Sequence, residues 1–410
     1  MKTVLASACV LLLAASSARA ETLRVGDGGR SLADTIALAN DGDVVEVPAG
    51  EWPGRIRIEK RITLRGEGTI DGGGEGRVIE IIAPGVVVEG LTIEGSGSNI
   101  SGPDACIYIE PSAVGAVVRG NLVRDCAFGI WVHTTPRVEL LDNHIIGRAD
   151  VRVADRGNGI QLFDASHLVI RGNRIEGARD GLYVSATEDS LIEGNRMHGM
   201  RYGVHYMYSY RNTIRGNVAN GNGGGFALME SHDLVVEDNT ADDNQNVGLL
   251  FRDAEHCQIR DNHLARNGQG MFFFSSVHNT IEDNLMLHNG VGAKIWAGSV
   301  DNLVRGNRFV GNRQQVFYVG NHDLVWGEAG RGNYYSDYIG WDQDGDGVGD
   351  RPYRVDSFTA NLMHRFPAAV LLMRSPVLEL LSRLSARMPI LRVPTVEDRA
   401  PLVGDVAGAS

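Results

Sequence analysis

Apolar and polar residues alternate in short runs, and the runs recur along the chain. After a glycine, Gly129-Ile-Trp-Val, Gly159-Ile-Gln-Leu, Gly181-Leu-Tyr-Val, Gly203-Val-His-Tyr, Gly225-Phe-Ala-Leu, Gly248-Leu-Leu-Phe, Gly270-Met-Phe-Phe and Gly292-Ala-Lys-Ile each place apolar residues first and third. That is the two-residue alternation of a strand with one buried face. A second short strand is expected around segments such as Leu168 to Arg171. An Asn preceded by Gly or Asp returns at Asn121, Asn143, Asn173, Asn195, Asn217, Asn239, Asn262, Asn284 and Asn307, at spacings of 22 or 23 with a single 30 that marks an insertion around Arg148 to Arg156. No unit has room for a helix. A repeat of this length means one small unit stacked on copies of itself, which predicts an all-β chain folded as a right-handed parallel β-helix.

Stacked coils bring equivalent residues to about 4.8 Å, so the Asn column predicts ladders of side-chain amides that satisfy turn backbone groups. A partial second column runs through Asn222, Asn244, Asn267, Asn289 and Asn312. Met197 and Met286 fall at interior positions of the repeat, and Met200 is undecided. Flanking the regular coils (111–320), the N-terminal part (21–110) reads as irregular coils behind a short capping helix, Leu32 to Asn40. Past Tyr318 the period stops, and 321–357 reads as a loop rich in Gly, Asp and Tyr. The remainder, 358–410, reads as an apolar helix and tail, with Ser375 and Pro376 as N-cap and first helical residue. Leu371 and Leu372 precede a stripe of Val377, Leu380, Leu381, Leu384 and Met388. Arginines and prolines make this a poor membrane span. It is expected either to pack on the last coils or to dock onto a membrane-protein partner, with the coils remaining folded when the chain is cut after Asp356.

Charge and the N-terminus narrow the setting. The 410 residues carry 39 basic and 51 acidic side chains, a net −12. An acidic balance argues against nucleic acid as a partner, which calls for a basic face. Lys2, the apolar run Val4 to Ala15 and the Ala18-x-Ala20 site read as a Sec-type signal peptide over 1–20, which places the mature chain in the periplasm. Cys9 would leave with it. Cys106, Cys126 and Cys257 are then an odd set, so a disulfide framework is disfavoured and each is expected as a small buried residue.

The outward positions of the repeat carry the candidate chemistry. A polysaccharide lyase or epimerase needs an acid and a base flanking the sugar, and the second and fourth positions after each Gly supply no carboxylate pair. A glycan-binding strip of Trp131, Tyr183, Phe272, Phe274 and Trp296 is a further alternative. The same face carries sulfur beside imidazole: Met207 and Met229 share a column, His205 precedes Met207 by two residues, and His232 follows Met229. Thioether and imidazole together suit Cu(I); a sticky protein-contact patch is the plainer reading. Separately, Asp342, Asp344, Asp346 and Asp350 alternate on a Gly-rich turn, as carboxylates around Ca²⁺ do. The alternative there is a turn whose carboxylates cap backbone amides.

Together with the signal segment and the Asn coils, Gly332-Asn-Tyr-Tyr-Ser-Asp-Tyr338, Gly340-Trp-Asp-Gln-Asp-Gly-Asp-Gly-Val-Gly-Asp350, Pro352-Tyr353 and the apolar helix resemble the NosD family, periplasmic maturation factors of nitrous oxide reductase. The resemblance covers 21–410. It implies a protein that is not itself an enzyme and that works with an ABC transporter ATPase and permease, a copper chaperone lipoprotein and nitrous oxide reductase. It also implies that the helix from Leu362 to Met388 meets the permease. Glu397-Asp-Arg-Ala-Pro-Leu402 resembles a variant of the family's acidic-Arg-Pro-Leu tail, to which the sequence assigns no role.

Overall fold

The computed structural model describes residues 20–355 except 297, 328 and 329, and beyond them 362, 366, 368, 371, 375–385 and 393–404. Residues 1–19 of the predicted signal segment, Leu372 and Met388 lie outside the described residues. The chain winds as a parallel β-solenoid whose coils contribute to three long sheets of 13, 13 and 12 strands. One full repeat shows the plan. Val169–Arg171 belongs to the first sheet, Arg174–Glu176 to the second, and the longer Asp180–Ser185 to the third. Each pairs in parallel, in register, with its equivalent one coil on.

The Asn column is the internal spine. Asn195 Nδ2 donates to Asn217 Oδ1 at 2.9 Å and Asn217 Nδ2 to Asn239 Oδ1 at 3.0 Å, while Asn217 Nδ2 also reaches the Ile192 carbonyl at 2.9 Å. The side chains thereby satisfy backbone groups that the turn buries. The residue before each Asn turns the chain with a left-handed φ, as at Gly216 (61°) and Asp238 (56°), which is why Gly or Asp stands there. The second column forms the same kind of ladder, for example Asn244 to Asn267 at 3.0 Å. Met197, Met200 and Met286 are buried in the core.

Both ends are closed. Helix α1 (Leu32–Leu38) is capped by Ser31 with a reciprocal Asp34 contact, and it buries Leu32 and Ile36 on the first coils. At the other end the coil does not stop at Tyr318. Tyr334–Tyr335 pairs with Arg308 and Phe309, and Asn333 adds another rung, accepting from Asn307 at 2.9 Å. The acidic-Arg-Pro-Leu tail completes the closure: Asp398, fully buried, accepts from Asn333 N (2.8 Å), Asn333 Nδ2 (2.8 Å) and the Tyr335 hydroxyl (3.0 Å) through Oδ2. Its strand Val396–Asp398 lies between Leu324–Trp326 and Tyr353–Arg354. Val355 N donates to Val396 O at 3.0 Å, so the chain leaves and returns at one point. A cut after Asp356 would therefore remove the cap of the ladder as well as the helix, contrary to the separable tail expected from sequence.

Helix α2 (Pro376–Ser385) starts where predicted, with Ser375 Oγ accepting from Leu378 N at 3.3 Å. Leu378 is the buried residue. The expected stripe faces outward, with Val377 at 64% and Leu380 at 58% exposure, Leu384 and the preceding Leu371 also exposed, and Leu381 half-buried. Among the described residues no helix is long and apolar enough to cross a membrane.

One cysteine expectation is overturned. Cys106 and Cys126 form a disulfide with Cα atoms 5.7 Å apart, because the pairing of Ala105 with Phe128 draws the two flanking positions together across adjacent coils. Cys257 is the free, buried cysteine among the described residues.

Candidate functional site

The three sheets differ in what they show to solvent. The first is laced with opposite charges between coils, such as Arg171–Glu193 (2.7 Å), Arg215–Glu193 (2.5 Å) and Arg260–Glu237 (2.5 Å). The third instead shows aromatic, thioether and imidazole groups, and it holds the candidate site. Most of its strands begin one residue before the Gly column, and the pairing register passes over the glycine: Asp180 pairs with Tyr202 and Leu182 with Val204. A Cβ at Gly181 would lie 2.5 Å from the Gly203 carbonyl oxygen, so no larger residue fits there. The residue before the glycine consequently joins the outer face, although strict alternation would turn it inward. Phe128 thus packs with Tyr108 and Trp131, and Val247 with Ala227 and Leu250, in clusters separate from the core.

Asp180 is the residue that sequence reasoning missed. It is fully buried and binds Arg201 through both oxygens, with Arg201 Nε to Oδ1 at 2.8 Å. His205 Nδ1 lies 3.0 Å from Asp180 Oδ2 and 3.0 Å from Arg201. Burial by itself would raise the Asp180 pKa, but the hydrogen bonds from Arg201 and His205 outweigh it and hold the carboxyl below its ordinary value. Tyr183 meets the His205 ring edge-on at 5.0 Å, and Tyr202 flanks it at 5.3 Å. With Nδ1 engaged, Nε2 is the ring nitrogen left for a ligand, the arrangement by which a carboxylate orients a metal-binding histidine.

Met207 and Met229 are paired in register on adjacent strands and are both half-buried. His205 lies on the same outer face, across from Ala227. His232 occupies a different column, on the turn beyond Met229. Its ring stacks on Tyr210 at 3.9 Å and its Nδ1 lies 2.7 Å from Asp233. His133 stands apart in an aromatic cluster, bonded to the Tyr108 hydroxyl at 2.8 Å. Any metal site on this face draws on thioether sulfur. Among the described residues, His, Cys, Asp and Glu donors converge in threes only at Asp342, Asp344 and Asp346.

In that loop the carboxylates are already occupied with the backbone. Asp342 accepts from Gly345 N (2.7 Å) and Gly347 N (2.9 Å), and Asp346 from Val348 N (2.8 Å). Asp350 lies outside the group of three and accepts from Gln343 N at 2.7 Å. These contacts are those of the turn-capping alternative.

Comparison with known proteins identifies the family. A family profile described as "Periplasmic copper-binding protein (NosD)" matches residues 141–340. The "Probable ABC transporter binding protein NosD" of Pseudomonas aeruginosa is 39% identical over 411 residues, covering 96% of this chain and 94% of the relative. The chain belongs to the NosD family. The Stutzerimonas stutzeri NosD of the same description is also 39% identical, over 90% of this chain and 89% of its own length. Solved structures share the NosD fold at low identity. The A-module of an Azotobacter vinelandii mannuronan C-5 epimerase has a TM-score of 0.57 at 15% identity, over 70% of this chain and 90% of its own. A Yersinia enterocolitica family 28 exopolygalacturonase has 0.55 at 11%, over 74% and 79%. They establish the solenoid and nothing about chemistry. The family description is of a periplasmic binding protein, and the relatives are named as transporter binding proteins rather than enzymes.

Proposed function

We propose that this chain is a periplasmic accessory protein that handles Cu(I) on the outer face of its third sheet, in concert with an ABC transporter, during assembly of the copper centres of nitrous oxide reductase. The observation that carries the reading is the in-register pair Met207 and Met229, with His205 held beside it by Asp180 and Arg201. Two thioethers and an imidazole Nε2 suit a soft monovalent ion, for which water and carboxylates compete poorly. His232 completes the proposed donor set from the turn beyond Met229. The copper-binding description of the family points the same way.

The partners in this reading are a permease and its ATPase, a copper-delivering lipoprotein, and the reductase itself. The permease contact in this reading is the outward face of α2, where Val377, Leu380 and Leu384 are exposed, as is the preceding Leu371.

The test is a Cu(I) titration of the exported chain against a chromophoric Cu(I) chelator. Met207→Ala combined with Met229→Ala is expected to weaken binding at least tenfold, a loss of about 1.4 kcal/mol. His205→Ala is expected to weaken it in the same direction. Affinity unchanged in the double variant would remove the site.

A further inference from the structure

The hydrophobic interior opens on one side near the C-terminal end. The first sheet stops at Leu303–Arg305, while the second and third run on to Tyr334–Tyr335 and Gln314–Val319. Facing it across the opening, Leu324–Trp326 pairs with Val396–Asp398 rather than with the first sheet. Between the two strands lies a cavity of about 840 Å³, within the roughly 300–1,000 Å³ of small-molecule sites.

The depth of the cavity comes from a change of side-chain size in the core. The inward column of the third sheet runs Val204, Phe226, Leu249, Met271, Ala293 and Val316 in register. Its drop at Ala293 leaves space beside Ile295. Phe273, Ile281, Met286 and Phe309 form the rest of the wall, and the flexible methionines adapt to whatever fills the space. Val304 and Ile295 retain 7% and 5% exposure, whereas Ile192 and Leu228 in the same columns have none. The cavity extends along the solenoid axis from Met271 past Ala293 to Trp326, across rungs about 4.8 Å apart, so it suits an elongated guest. Apolar space of this kind stays dry and takes up apolar molecules.

The rim selects the head of that guest. Arg305 is committed to Glu282 and Arg331 to Asp283, and Asp301 and Asp323 stand at the same mouth. An anionic head group would meet an excess of carboxylates there. A hydroxyl can instead donate to them.

We propose that the open end of the solenoid core binds one aliphatic chain whose head group carries no negative charge. The tail lies along Met271, Ala293 and Ile295, and the head stays at the acidic rim. This site is inside the coil, apart from the thioethers on the outer face, and stands whether or not copper binds there.

The experiment uses the exported chain and ω-bromododecanol, whose bromine quenches tryptophan on contact. Saturable quenching is expected. Trp326→Phe is expected to remove most of it while calorimetry still records the binding. Ala293→Leu restores the side-chain size found at Leu249 and is expected to weaken binding at least tenfold while raising the midpoint in urea. Ile295→Phe, which repeats Phe273 one coil on, is expected to do the same and serves as the second filling variant. Shortening the alcohol is expected to weaken binding by about fourfold per methylene removed. Laurate is expected to bind at least tenfold more weakly than dodecanol, and equal affinities would overturn the role of the rim. No saturable binding to the wild type, or binding unchanged in both filling variants, would overturn the site. Neutral phosphatidylcholine vesicles are expected not to bind; vesicle binding lost in Ala293→Leu would overturn the free chain in favour of one still held in a bilayer.

Discussion

Tyr206 lies in the inward column between Val184 and Leu228, fully buried, and its hydroxyl has no hydrogen-bond partner among the described residues. A buried hydroxyl without a partner costs stability that its removal restores. Tyr206→Phe is accordingly expected to raise stability by about 1 kcal/mol, read as a higher midpoint in urea. Single residues also show what a linear pattern can and cannot carry. The meeting of Met207 and Met229 was legible because their separation is one coil, and period alone fixes it. Asp180 was not legible. It has the parity of Leu182 and Val184, and only the kink at Gly181 turns it outward to Arg201 and His205. The Cys106–Cys126 pair was hidden for a related reason, since Cys106 falls in the irregular first coils, where its distance from an equivalent position in the next coil cannot be counted.

At the level of elements, the strands and the Asn ladder were readable because each repeats its own signal many times. The C-terminal strand Val396–Asp398 occurs once, and its partner Asn333 lies 65 residues away, so nothing local announces the contact. Asp398 terminates the ladder by accepting three donors. Asp398→Ala strands those donors in the interior and is expected to cost about 3 kcal/mol, detected as earlier loss of amide-exchange protection in the last coils than in the first. Neighbour-limited stability in a repeat array predicts that gradient. The outward turn of α2 was likewise beyond the sequence. Its amphipathic stripe specified a face, whereas only the burial of Leu378 shows which side meets the protein.

For the whole molecule, the division of labour is between two charge-laced or ladder-supported sheets and one outer face of aromatic, sulfur and imidazole groups. The solenoid holds those groups on rigid strands rather than on loops, which fixes their spacing to one another. The apolar helix is a separate module carried within an excursion that is closed at its base. Replacing residues 358–393 by a short Gly/Ser linker is expected to preserve the melting temperature and Cu(I) affinity while abolishing co-purification with the permease. Retained co-purification would move the permease contact to the solenoid. Because the Val355–Val396 hydrogen bond ties the two ends of that excursion together beside Asp398, the helix resembles a handle riveted to the end of a rod. A load applied to that helix would enter the coil at its last rung and travel along the spine of asparagines.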